Sequence, residues 1–193
     1  MLRSPVAKRL AAATALGLWL SAPIGPATVR AAETPVQAEK SPPGDIPDSQ
    51  VFVIYAGPGF SMKTPEGWSR KDGSNGAQFF DKYNRIDVTI ADATVPPTVD
   101  STKSQEATLV TSLGRAVVVG SVKDVALTGG KAVRIDYTSN SEPNSVTNKQ
   151  IRLEGVRYLL FKAGKLVTLD MAAPLGADNV DQWALMANSL QIR

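Results

Sequence analysis

From Arg85 to Ala91 the chain reads RIDVTIA, and its character reverses at every residue: Ile86, Val88 and Ile90 are apolar, while Arg85, Asp87 and Thr89 are polar. A period of two sends alternate side chains to opposite faces of an extended strand, so one face of this segment is built for a core and the other is not. KAVRIDY, residues 131–137, repeats the pattern with Val133, Ile135 and Tyr137 against Arg134 and Asp136. Half-buried strands of this kind belong to antiparallel sheets. Further strands are expected at 51–55, 59–63, 78–80, 117–127, 150–162 and 166–172. The apolar parity slips around Gly155, which predicts a bulge or bend there. FKAGKLV predicts a hairpin over 163–165, and LTGGKAV, which lacks the phosphate-loop pattern, reads as a β-turn.

Two segments have helical period instead. In STKSQEATLVTSLG, residues 101–114, Leu109, Val110 and Leu113 share a face, Thr102 with Gln105 forms a capping box, and Gly114 ends the helix. In DNVDQWALMANSL, residues 178–190, Val180, Trp183, Ala184 and Ala187 make the apolar stripe, and Asp178 or Asn179 caps it. Strands, a helix, more strands and a closing helix give an α+β fold, a largely antiparallel β-sheet sandwiched with two main helices.

The first 32 residues have the three parts of an export signal: Arg3, Lys8 and Arg9, then the apolar run 10–22, then Val29 and Ala31 at cleavage-site spacing. Pro23 stops that run well short of the roughly 20 residues a membrane span needs. Residues 33–49 carry Pro35, Pro42, Pro43 and Pro47 among polar residues and are expected as a flexible, proline-rich linker. Residues 50–193 then form one domain. Removing the leader takes the basic count from 21 to 17 against 18 acidic residues, and the net charge from +3 to −1. The basic character belongs to the leader, so no nucleic-acid partner is expected. Nor is an integral membrane segment expected after cleavage.

The chain contains no cysteine and no histidine. Disulfides, thiolate nucleophiles, a Ser-His-Asp triad and an HExxH zinc helix are therefore excluded. Cysteine-linked lipid is excluded as well. Asp178 and Asp181 have capping and first-turn roles to fill, and no DxDxDG calcium loop occurs. No catalytic residue, metal site or cofactor is expected. Trp68 and Trp183 read as core side chains. The turn DKYNR, with Asp81, Lys82, Tyr83, Asn84 and Arg85, is the surface cluster best suited to recognise a partner, and the polar stretch 138–148 is a long loop.

GFSMKTPEGW, residues 59–68, resembles the opening strand, proline turn and tryptophan of the PsbP-like (Mog1/PsbP/DcrB-type) exported proteins, with Gly59, Phe60, Pro65 and Trp68 in matching places. FFDKYNRIDVTI is similar to that family's acidic turn and second hairpin, and LVTSLG, AGKLVTLDMAA and WALMANSLQI to its later elements. The resemblance covers nearly all of residues 50–193. It implies an exported, non-catalytic accessory protein docking on a protein partner, with a membrane complex as one version and an extrinsic photosystem II role where the host is photosynthetic. Metal sites described in some plant members use histidine and cannot carry over. A small-ligand or calcium-type carrier, with a pocket between sheet and helix, is the alternative. The compartment would be extracellular, periplasmic or thylakoid-lumenal according to the host.

Overall fold

The computed structural model describes residues 33–193; the expected leader lies outside the described residues. In chain order the elements are β1 (Phe52–Gly57), β2 (Phe60–Pro65), β3 (Ser69–Gly73), β4 (Gly76–Asp81), β5 (Asn84–Asp92), α1 (Val99–Ser104) and α2 (Glu106–Leu113). They continue with β6 (Arg115–Leu127), β7 (Gly130–Asn140), β8 (Arg152–Lys162), β9 (Lys165–Pro174), α3 (Val180–Ser189) and β10 (Gln191–Ile192). The alternating segments 85–91 and 131–137 lie within β5 and β7. A seven-stranded sheet has the order β3-β4-β5-β9-β8-β7-β6, and a three-stranded sheet the order β1-β2-β10. All pairings are antiparallel, so the α+β architecture of the sequence reading stands.

The large sheet is two hairpin meanders, β3-β4-β5 and β6-β7-β8-β9, joined where β5 pairs with β9. On one face Ile86 and Val88 of β5, Leu169 and Met171 of β9, and Tyr158 and Leu160 of β8 meet Phe60 and Met62 of β2 and Met186 and Leu190 of α3. This is the main core, and removal of its apolar surface from water is the chief force holding the layers together. On the opposite face a smaller cluster, Val110 of α2 over Ile135 and Tyr137 of β7, fastens the other helix.

Four local expectations are corrected. No bulge occurs at Gly155: the β7–β8 and β8–β9 registers run through it unbroken. The slip in parity arises because β8 is covered on both faces, Tyr158 and Leu160 on one and Leu159 on the other. The register shifts fall in β6 instead, between Arg115 and Val118 and between Val119 and Ser121. The first helix is split at Gln105, where φ is −110° and ψ −68°, and its capping box is Thr98 with Ser101. The Ser104 hydroxyl donates to the carbonyls of Asp100 and Ser101 at 3.1 Å each, drawing on acceptors the helix would use. Leu109 and Leu113 are exposed, leaving Ala107 and Val110 as the buried side of α2. In α3 the buried stripe is Gln182, Trp183, Met186 and Ala187, followed by Leu190, and Val180 and Ala184 face outward. The larger Met186 and Leu190 draw that face inward.

β8 and β9 are joined at Ala163 and Gly164, both with positive φ, as a two-residue hairpin turn requires. The long loop begins at Ser141 rather than Thr138, since Thr138 and Asn140 are in β7 and both bind the buried Arg152 guanidinium, at 2.6 and 2.9 Å. Residues 33–49, expected as a linker, run along the domain. The Ile46 side chain is buried and its N–H donates to Asn179 Oδ1 at 2.6 Å, the Gly44 carbonyl accepts from Asn84 and Asn179, and the Val36 N–H donates to Asn140.

Phe60 is fully buried at the centre of the main core, whereas Trp68 is half-buried at its margin. Phe60→Ala should cost about 3–5 kcal/mol. Trp68→Ala, which removes less buried surface, should cost about 1–2 kcal/mol. Urea unfolding of the two variants side by side checks the ordering.

Candidate functional site

Two concavities lie on opposite faces of the large sheet. The first, of about 690 Å³, is roofed by α2. Its floor is a row of charged side chains set in register by three neighbouring strands: Asp87 of β5 pairs across from Asp170 of β9, and Asp170 across from Arg157 of β8. Asp170 is only 3% exposed. Arg157 reaches it through both Nε and Nη2 at 2.6 Å, and the Tyr137 hydroxyl donates to its other oxygen at 2.5 Å. The Tyr137 ring reaches that far because it lies over Gly155; a Cβ there would sit 2.4 Å from Tyr137 Cζ.

The remaining floor groups are tied into the same array. Asp87 accepts from Gln78 at 2.7 Å and pairs with Arg85 at 2.6 Å. Arg157 Nη1 holds Glu106, the first residue of α2, at 3.2 Å, and so fastens the helix to the floor. Burial pushes the Asp87 carboxyl above its ordinary value in spite of Arg85 and Gln78. Burial and the adjoining Asp170 raise the Tyr137 phenol far enough to keep it neutral and donating. Each interior carboxylate here is engaged by a guanidinium.

The second concavity, of about 440 Å³, lies between the start of α3 and strands β6–β8, with Val118, Tyr158, Val180 and Trp183 in its lining. Arg134 is clamped along it: Nε donates to Asp136 at 2.6 Å, Nη1 to the Tyr158 hydroxyl at 3.2 Å, and the guanidinium lies 5.6 Å from the Tyr158 ring centre. Val118 is 52% and Val180 72% exposed, so the groove has an apolar lip and an ordered polar wall.

The structure separates the five residues of the DKYNR turn. Asp81 and Lys82 stay at the hairpin tip, with Lys82 in the left-handed region at φ 53°, and Tyr83 is exposed beside them. Asn84 turns inward, is buried, and donates to the Gly44 carbonyl at 2.9 Å. Arg85 turns along the sheet to Asp87. The array of buried Asp170 and Tyr137 with half-buried Arg157 and Glu106 was missed by sequence reasoning. Its signal was the single carboxylate inside the apolar run LVTLDMAA, since an unpaired Asp is almost never fully buried. Asp178 and Asp181 form no metal grouping: no cluster of three or more potential ligands of that kind occurs among the described residues.

Asp136, on the wall of the second groove, is pushed upward by burial, but the Ser121 hydroxyl, Arg134 and Lys123 outweigh this and hold its carboxyl below the ordinary value. A carboxyl with a lower pKa folded than unfolded stabilises the fold above its unfolded value of about 3.9, and that contribution is lost as pH falls through the folded value. The stability difference between wild type and Asp136→Asn should therefore be full at pH 7 and shrink steadily below about pH 4. Denaturant titrations across that range measure it, and a gap that stays constant with pH would refute the assignment.

No family model matches the chain, and no curated protein matches it. Among solved structures it is similar to the solution structure of cyanobacterial PsbP (CyanoP) from Synechocystis, at TM-score 0.53 and 15% identity, over 78% of this chain and 98% of that one. A crystal structure from Bacteroides thetaiotaomicron gives TM-score 0.49 at 14% identity, over 72% of this chain and 48% of that one. The order of strands and helices described above, matched over nearly the whole length of the cyanobacterial protein, gives this chain the PsbP-like fold.

Proposed function

We propose that the chain is an exported, non-catalytic accessory protein that docks on a protein partner through the end of the domain formed by the start of α3 and the β4–β5 hairpin tip. The observation that carries this reading is the groove of Val118, Tyr158, Val180 and Trp183, whose apolar lip the fold leaves open. A hydrophobic rim around a preordered polar wall suits recognition, since a partner covers the apolar side chains without reorganising the charged ones. Register places the two parts at one end of the sheet. Arg85 pairs with Ala172, Ala172 with Gly155, and Gly155 with Tyr137, one residue from the pairing of Thr138 with Val118. Asp81, Lys82 and Tyr83 lie just beyond Arg85 and supply the polar edge of this surface.

The non-catalytic part of the reading is supported by chemistry. Without histidine or cysteine, proton transfer would fall to carboxylates, and those inside the sheet are held by guanidinium groups. The same pairing weighs against calcium, which needs several oxygen ligands freed from other cations. No helix among the described residues is long and apolar enough to cross a membrane. Attachment to a membrane complex is accordingly read as peripheral, and in a photosynthetic host it is of the extrinsic photosystem type.

Salt-washing of native membranes followed by cross-linking tests the reading. Wild-type protein should be retained at low salt and yield a cross-linked partner. The double variant Val118→Asp, Val180→Asp should lose about tenfold in retention, equivalent to about 1.4 kcal/mol. Its unfolding midpoint should stay close to wild type, because both side chains are on the surface. A wild-type protein that is wholly soluble and without cross-links, or a variant retained as well as wild type, would overturn it.

A further inference from the structure

The cavity under α2 is unused by the docking surface, which lies on the opposite face of the sheet. Its volume, about 690 Å³, falls within the range of small-ligand sites. The charges on its floor do not balance. Asp87, Asp170 and Glu106 face only two guanidinium groups, Arg85 and Arg157. At the rim Lys71 and Arg115 are matched in number by Asp72 and Glu142, so the lining as a whole keeps one surplus negative charge. Glu106 shows where that surplus is available: Arg157 engages its Oε2, and its Oε1 takes no hydrogen bond among the described residues.

The roof is chemically different. Val110 is buried against β7, but Leu109 and Leu113 project at the cavity mouth, 44% and 74% exposed. Here a carboxylate-rich floor lies under an apolar roof. The complement of that arrangement is a group with one positive charge on a hydrocarbon stem. An anion would meet the open oxygen of Glu106, and an apolar molecule would leave that oxygen without a partner.

We propose that this cavity binds an alkylguanidinium or alkylammonium group, its cationic head against Glu106 and its stem under Leu109 and Leu113. The head belongs either to a free small molecule or to an Arg or Lys side chain of a protein. A guanidinium fits better than an ammonium, because its planar fork can engage a carboxylate through two N–H groups.

Titration of the purified chain with n-butylguanidinium, n-butylammonium and n-pentanoate, followed by amide chemical shifts of α2, β5 and β9, tests this. A parallel arm uses a capped Gly-Gly-Arg-Gly-Gly peptide. Saturable shifts with either cation or with the peptide, and none with pentanoate, are expected. Tighter binding of the peptide identifies a protein side chain as the source, and tighter binding of the free cation a small molecule. Glu106→Gln should weaken binding about tenfold. Should that variant destabilise α2, Leu113→Ser, a change at an exposed position, should still weaken binding about threefold. Pentanoate binding equal to that of the cations would overturn the proposal. So would no saturation by any cation or peptide up to about 20 mM, where affinity would be weaker than about 2.3 kcal/mol. Full binding by both variants would overturn it as well.

Discussion

The carboxylate of Asp170 sits in the interior of a seven-stranded sheet, where three donors meet it. Taking such a group from water costs several kcal/mol, and removing one partner of a buried ion pair commonly costs about 3–5 kcal/mol. Arg157 supplies two of the donors and Tyr137 the third. The third depends on an absence: Gly155 has no side chain where the Tyr137 ring must lie. A glycine in a central strand, ordinarily a weakness, here allows a cross-strand aromatic to complete the solvation of an anion two strands away.

Much of the domain's asymmetry follows from that arrangement. One face of the sheet is apolar across β5, β9 and β8 and is covered there by β1, β2, β10 and α3 around Phe60 and Met186, its charged groove lying to one side. The other is charged across its middle, so a helix laid upon it cannot close down as it would on hydrocarbon. Helix α2 is held at one point by Glu106 on Arg157 and at another by Val110 on Ile135 and Tyr137. Between those attachments the cavity remains. The space is thus a direct result of putting ions, rather than methyl groups, in the floor.

The strands were legible where alternation is strict, as at 85–91 and 131–137, because a half-buried strand writes its two environments into its sequence. β3, with the sequence SRKDG, is exposed along its whole length and carries no such record. Helix faces were legible to within one position: in α3 the stripe reads on Trp183 and Ala187 correctly, while Val180 and Ala184 are outward because Met186 and Leu190 take their place. The charged floor was only half legible. A lone Asp in LVTLDMAA announces that it needs partners, but Arg157 and Tyr137 are 13 and 33 residues away in sequence, and only strand register brings them to it. Asn84 illustrates the converse, a residue whose turn-like setting hides its inward role.

The last strand, β10, is two residues long and pairs with Phe60 and Ser61 of β2, in the first third of the sequence. Ile46 is likewise bonded to Asn179, 133 residues further on. The small sheet and the segment bound along the domain therefore lack part of their support until the C-terminal residues are available. Closing such distant contacts carries an entropic cost before it brings any gain, which slows folding relative to a chain built from local contacts. During synthesis the N-terminal half is consequently left without its final partners. A polypeptide that has to cross a membrane as an open thread gains time from this delay, so its late closure is a kinetic counterpart of the proposed export.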